Sequence, residues 1–319
     1  MRPVEANHTT PTVVTPGNYD GVHLGHRALV ATARRVASES ALGLRVVALT
    51  FDPHPLHFIA PERAPQLLTD VPRRIELLRA AGADEVMVQT FDRAFSLLSP
   101  VEFVQQILIE KLNVRAIVVG ADFGFGAQRA GDVALLESLG APRGITVTTV
   151  PPVTLEGEVV SSTHVRAALS NGAVERVARM LTRVHDVDRR VVHGFERGRT
   201  IGFPTANLEL AGSLAPADGV YAVSVRVLDG DASVSAQRYS GVANIGVRPT
   251  VQGGRSMEVH LLDFAGDLYD RTLRVGFVAR LRGETKFADL NALRAQIARD
   301  VEAGRRALES CDPQLLSWI

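Results

Sequence analysis

Cysteine is almost absent: Cys311 is the only one in 319 residues. It closes no internal disulfide and falls in no metal-ligand spacing, which excludes a disulfide scaffold and a cysteine zinc site and fits a reducing cytoplasm. An excess of either charge is also missing. Lys+Arg and Asp+Glu each number 35, leaving no global field to hold nucleic acid or an anionic membrane. No apolar run approaches the roughly 18 residues of a membrane span, and residues 1–11 are polar, without the apolar centre of a signal peptide. The P-loop pattern Gly-x-x-x-x-Gly-Lys-Ser/Thr occurs nowhere. The expectation is a cytoplasmic globular protein, with neither nucleic acid nor membrane as partner, long enough for two domains with a core each.

Against these absences, Gly17 to His26 stands out. It follows a β-branched run, Thr12 to Thr15, and precedes a helical pattern through Leu29, Val30, Ala33, Val36 and Ala37. The stretch therefore reads as a strand-to-helix turn carrying His23 and His26. Its glycines admit a close backbone approach, and the helix start is a ready anion site. A glycine-rich turn with two surface histidines fits the same letters.

The rest of the first half alternates strands (45–50, 85–88, 116–119, 146–150) with helices. One helix spans Pro72 to Ala81 and ends at Gly82. Another opens on the capping box Ser99-Pro100-Val101-Glu102 and runs to about Leu112. Continuous apolar strands between helices predict a parallel sheet covered on both faces. Two more unusual clusters, Thr50 to Pro55 and Gly120 to Gly126, also follow strands. Ligands of open α/β sheets bind beyond the carboxyl ends of strands, so these clusters converge on one site. A fourth cluster, Ser161 to Arg166, supplies hydroxyls at a helix start and a guanidinium one turn inside, a set that can share a polyphosphate. Zinc is disfavoured for His23, His26, His54 and His57: neither pair has i,i+4 spacing, and His54 lies between two prolines.

From about residue 186 the pattern becomes short alternating strands, predicting an antiparallel sandwich or barrel. A closing amphipathic helix carries Leu290, Leu293, Ile297, Val301 and Leu308 on one face. Thr205 and Asn207 are one residue apart, so in extended chain both point the same way and can share a hard cation. Glu258 lies on the strand face opposite Met257, Val259 and Leu261; a solvated carboxylate is the ordinary explanation of that pattern.

The first half resembles the adenylyltransferase module of bacterial FAD synthetases. His23-Leu24-Gly25-His26 matches the His-x-Gly-His motif, Ser161 to Arg166 the later Ser/Thr-rich motif, and Thr50–Pro55 and Val119–Asp132 the internal motifs. The run from Gly198 to Asn207 resembles the riboflavin kinase signature. Gly219-Val220-Tyr221, Asn244 to Thr250, Glu258 to Leu261, and Leu281-Arg282 with Lys286-Phe287 match further motifs of that family. The resemblance implies a Rossmann-like nucleotidyltransferase domain over residues 1–182, a parallel sheet with helices on both faces. It implies a six-stranded antiparallel β-barrel with a C-terminal helix over 183–319.

It further implies that His23 and His26 stabilise charge on ATP, with Gly17, Asn18, Asp20, Ser162, Thr163 and Arg166 around the nucleotide and the leaving pyrophosphate. Asp52, His54, Asp122, Phe123 and Phe125 would form the flavin and nucleotide side. In the kinase half, Gly194, Gly198, Arg199, Thr205 and Asn207 would hold ATP, with Mg²⁺ on Thr205 and Asn207. Glu258 would be the general base, and Arg248 and Arg282 would lie on the flavin side. Riboflavin, FMN and ATP are the implied ligands of a monomer or weak homo-oligomer. The alternatives are an FMN adenylyltransferase with a non-catalytic flavin-binding barrel, and a non-catalytic flavin or nucleotide sensor. The chain departs from the family at Leu181 to His185 (usually Leu-Gly-Arg-Pro and an aromatic) and at Phe195-Glu196. It departs also at Gly124, where a basic residue is frequent, and at Asp270, where glycine is common.

Overall fold

The computed structural model describes residues 10–193, 202–209, 211–229, 237–247 and 255–319. The chain divides into two compact units, Met1–Ser161 and Ser162–Ile319.

The first unit is built on five parallel strands: β1 (Thr12–Pro16), β2 (Arg45–Asp52), β3 (Glu85–Thr90), β4 (Val114–Gly120) and β5 (Thr146–Val150). Their order is β3-β2-β1-β4-β5. The chain leaves β1 toward β2 and β3, then returns to the other side of β1 with β4, so the switch point lies at the carboxyl end of β1. Alternation along the strands gives two cores. Val14, Val47, Leu49, Ile117 and Val119 pack on one face with Phe103, Val104, Ile107 and Leu108. Val13, Val46, Ala116 and Val118 pack on the other with Ala33 and Ala37 of the Leu24–Glu39 helix. The Ser99 capping box forms as predicted. The helix it opens then differs from expectation: Phe103–Lys111 is hydrogen-bonded as a π-helix, a widening of the turn that apolar spacing does not announce. A two-stranded ribbon, β6 (Thr154–Leu155) with β7 (Glu158–Val159), follows the sheet.

The strands of the second unit are β8 (His185–Val192), β9 (Ala206–Leu208), β10 (Gly219–Val227), β11 (Arg238–Val247), β12 (Arg255–Leu261) and β13 (Thr272–Arg282). They form a closed barrel of order β10-β11-β12-β9-β8-β13. All its pairings are antiparallel. The Leu290–Glu309 helix fully buries only Asp300 and Gly304. Asp300 receives the Arg282 guanidinium through Nε at 3.1 Å and Nη2 at 2.8 Å, so a charged pair anchors the helix to β13. Leu290, expected on the apolar face, is 64% exposed because it stands in the first turn, before the helix reaches the barrel.

The Ser162–Ser170 and Val174–Leu181 helices belong to this second unit. Hydrogen bonds help tie them to the barrel. Arg280 on β13 donates to the carbonyls of Asn171 and Asp218, the Arg280 N–H donates to Glu175, and the Ala217 N–H donates to Leu169.

Two departures from the family fall on left-handed backbone. Thr182, which caps the Val174–Leu181 helix, has φ 55°, and Asp270 has φ 63°. Glycine adopts that region without strain; aspartate tolerates it, and a β-branched threonine does so at a cost.

Candidate active sites

In the first unit the functional loop grows directly out of β1. His23 is the N-cap of the Leu24–Glu39 helix, so Gly25 and His26 occupy its first turn, where N–H groups have no intrahelical acceptor. The His23 and His26 rings stack with centroids 3.7 Å apart and planes 20° apart. Gly25 permits this: a Cβ there would come within 3.2 Å of the His23 ring. Burial lowers the His26 pKa well below the usual histidine range, and the neighbouring His23 and Arg74 lower it further. His26 is thus a neutral imidazole at working pH, and its Nδ1 is buried without a hydrogen-bond partner among the described residues.

The loop's shape is imposed from a distance. Tyr19, with φ 53° and no exposure, donates to the Thr15 carbonyl at 2.9 Å. Asp20 is 1% exposed and accepts the N–H groups of Leu68 (2.9 Å) and Thr69 (3.0 Å). The Gly21 N–H, at φ 85°, donates to Thr69 Oγ1 at 3.1 Å. Thr50, near the end of β2, donates through Oγ1 to the Asn18 carbonyl at 3.0 Å. His54 Nδ1 accepts the Leu56 N–H at 3.2 Å. Its Nε2 lies 3.3 Å from the Asn18 amide nitrogen, Nδ2. Gly17, Asn18, Asp20, His23, His26, Asp52 and His54 therefore gather at the carboxyl ends of β1 and β2.

The cluster after β4 is less uniform. Asp122 is exposed and Phe123 half-buried, whereas Phe125 is 6% exposed in the core against Phe103. The Phe123 and Phe125 rings stack with centroids 5.6 Å apart. A Cβ on Gly124 would meet the Arg129 guanidinium at 3.0 Å. Basic chemistry thus reaches the position from a residue five places later.

In the second unit Glu258 on β12 is paired in register with Asn207 on β9 and with Asn244 on β11. Asn207 is 7% exposed, Glu258 half-buried, and Met257, Val259 and Leu261 are buried on the opposite face, as the alternation predicts. Thr205 lies just ahead of β9. Its neighbour Pro204 is fixed by His260, two residues along β12 from Glu258, whose Nδ1 donates to the Pro204 carbonyl at 2.7 Å. Ser162, Thr163 and Arg166 lie on the Ser162–Ser170 helix, with Ser162 and Arg166 one turn apart on one side. Gly194, Gly198, Arg199 and Arg248 lie outside the described residues.

A family profile described as FAD synthetase matches residues 5–164, and one described as riboflavin kinase matches residues 181–308. A "Bifunctional riboflavin kinase/FMN adenylyltransferase" of Pseudomonas fluorescens is 44% identical over 92% of each chain. Its namesake from Escherichia coli K12 is 42% identical over 90% of each. The chain belongs to the bifunctional riboflavin kinase/FMN adenylyltransferase family. A crystal structure described as a macrolide-efflux protein from Streptococcus pneumoniae superposes with a TM-score of 0.83 at 32% identity, covering 95% of this chain and 98% of that one. No helix among the described residues is long and apolar enough to cross a membrane.

For a member of this family, sequence reasoning missed two supporting residues. His260 stood inside a quoted motif without a role. Arg74 carried a signal that went unread: a charge on the same stripe as the buried Leu77 and Leu78.

Proposed function

We infer that the chain is a bifunctional FAD synthetase. Riboflavin and ATP give FMN and ADP; FMN and a second ATP give FAD and pyrophosphate. The carrying observation is that two family profiles, one for each transfer, match separate halves of one chain.

In the kinase half, Glu258 takes the proton of the ribityl hydroxyl as that oxygen attacks the γ-phosphorus of ATP. Thr205 and Asn207 offer neutral hard oxygen donors, and the buried Asn207 faces the Glu258 carboxylate across one strand pair. That donor set fits Mg²⁺, which when bound neutralises phosphate charge. Arg282, held by Asp300, and Arg248 serve the flavin side, and Gly194, Gly198 and Arg199 the nucleotide.

In the adenylyltransferase half, an oxygen of the FMN phosphate attacks the α-phosphorus and the bond to pyrophosphate breaks. His23, His26 and the first-turn N–H groups stabilise the charge that develops, which requires positioning and no covalent nucleophile. Gly17, Asn18 and Asp20 shape this corner, and Asp52, His54, Asp122 and Phe123, backed by Phe125, face flavin and nucleotide. Ser162, Thr163 and Arg166 hold the departing pyrophosphate. The functional division is placed at 182/183, just past the Val174–Leu181 helix. The protein acts in the cytoplasm as a monomer or weak homo-oligomer.

Incubation with riboflavin, ATP and Mg²⁺, followed by separation of the flavins, tests this reading. FMN followed by FAD is expected; absence of both overturns it. FAD from supplied FMN, with riboflavin untouched, would leave only the adenylyltransferase.

A further inference from the structure

Arg74 belongs to none of the motifs, yet its placement is specific. It lies on the Val71–Ala80 helix beside Leu77 and Leu78 and is 1% exposed. A guanidinium so buried needs fixed acceptors, and those it finds all belong to segments that shape the histidine loop. Nη1 donates to Thr50 Oγ1 at 3.3 Å and to the Phe51 carbonyl at 3.1 Å, and Nη2 donates to the Thr69 carbonyl at 3.4 Å. Thr50 passes the connection on to the Asn18 carbonyl at 3.0 Å. Thr69 passes it on twice, by donating its N–H to Asp20 at 3.0 Å and by accepting the Gly21 N–H at 3.1 Å. Arg74 is thus one bond removed from Asn18, Asp20 and Gly21, the residues that set the path of the chain into His23.

We propose that Arg74 is a positioning residue for adenylyl transfer, a buried brace that locks the end of β2 and the Thr69 segment together so that the loop carrying His23 and His26 keeps one shape. The proposal rests on the assignment of that transfer to the first unit. Arg74 touches neither substrate nor reacting atoms; its effect is on the geometry of groups that do. Geometry lost in this way lowers the rate of the bound complex more than the binding of FMN.

The test uses the full chain with Arg74→Met, Arg74→Lys and Thr69→Val, the last removing the hydroxyl by which the braced Thr69 segment holds the Gly21 N–H while the Arg74 bond to the Thr69 carbonyl remains. FAD formation from supplied FMN gives kcat and KM, and riboflavin phosphorylation by the same samples reports on the other half. Arg74→Met is expected to lower kcat for FAD formation about 100-fold while moving KM for FMN less than about 3-fold. Arg74→Lys should recover about 10-fold of that loss, since an ammonium still reaches one or two of the acceptors, and Thr69→Val should lower kcat about 10-fold. Riboflavin phosphorylation stays at the wild-type rate throughout.

Wild-type kcat in Arg74→Met overturns the proposal, as does a loss that Arg74→Lys fails to relieve and Thr69→Val fails to reproduce. If Arg74→Met does not fold, the other two variants decide: wild-type kcat in both overturns it, and graded losses support it. A wild-type protein that makes no FAD would strike the functional assignment itself, and the brace with it.

Discussion

In the first unit the two histidines sit on a loop whose shape is imposed by partners far away in sequence; in the second, Glu258 and Asn207 sit in regular strands. Asp20 is clamped by N–H groups 48 and 49 residues downstream, and the stacked His23 and His26 lie at a helix's N-cap and in its first turn. Glu258 meets Asn207 because β12 and β9 pair in that register. The loop is held by many directional bonds, each costly to lose when buried. The strand pair is held by the whole barrel, so one side chain can be changed there with little effect on the backbone. Substitutions in the barrel should therefore separate chemistry from structure more cleanly than substitutions in the loop.

The largest expected effect follows from that contrast. Glu258→Ala should lower FMN formation about 1,000-fold by removing the proton acceptor while leaving the barrel folded, read as riboflavin consumed against thermal unfolding. A residual rate near wild type would return Glu258 to a solvated surface role. His26→Ala should lower FAD formation from FMN about 100-fold, and because its ring stacks on His23 some local stability should go with it. Loss of activity without any loss of stability would show the loop to be less interdependent than its bonds suggest.

Acid acts on the barrel through a group outside either set of site residues. His185 on β8 is fully buried, with its pKa lowered by burial to about 4 against the backbone bond to Leu214 and the nearby Asp186, both of which raise it. The unfolded chain takes up this proton near 6.5 and the folded chain only near 4. This contribution is thus complete above 6.5 and is lost as pH falls through that window, by about 3 kcal/mol. His185→Gln keeps a donor for the Leu214 carbonyl and should flatten the pH dependence of barrel unfolding between those limits; an unchanged slope would clear His185. The smallest effect is expected at Thr182. Thr182→Gly relieves a β-branched residue at φ 55° and should raise stability by about 1 kcal/mol, measured by denaturant unfolding; a decrease would mean the threonine contributes more than its strain costs.

The contrast also explains what could be read from the letters. The three clusters at strand ends, the sheet covered on both faces and the Glu258 alternation all depend on patterns two to four residues long, and the structure contains them. The Asn207–Glu258 pairing required a register across 51 positions, which spacing alone does not fix. The stripe marks Arg74 as buried, but its partners, like the backbone clamp on Asp20, are chosen by tertiary packing and do not show in spacing. Nor did periodicity separate the π-helical hydrogen bonding of Phe103–Lys111 from an ordinary helix, since both bury Phe103, Val104, Ile107 and Leu108. Sequence pattern groups the helix of Ser162, Thr163 and Arg166 with the first domain, whereas the structure places it in the second compact unit, where the Ala217 N–H donates to its Leu169 carbonyl. The Thr182 and Asp270 departures became intelligible once their backbone angles were known.

The central claim is that one chain carries two transfers at two separate sets of residues. It is tested most directly by giving each variant the reaction it should still perform: supplied FMN and ATP to Glu258→Ala, riboflavin and ATP to His26→Ala. The account predicts FAD from the first and FMN from the second, each within about 3-fold of the wild-type rate. Parallel loss of both reactions in either variant, with the fold intact, would contradict it.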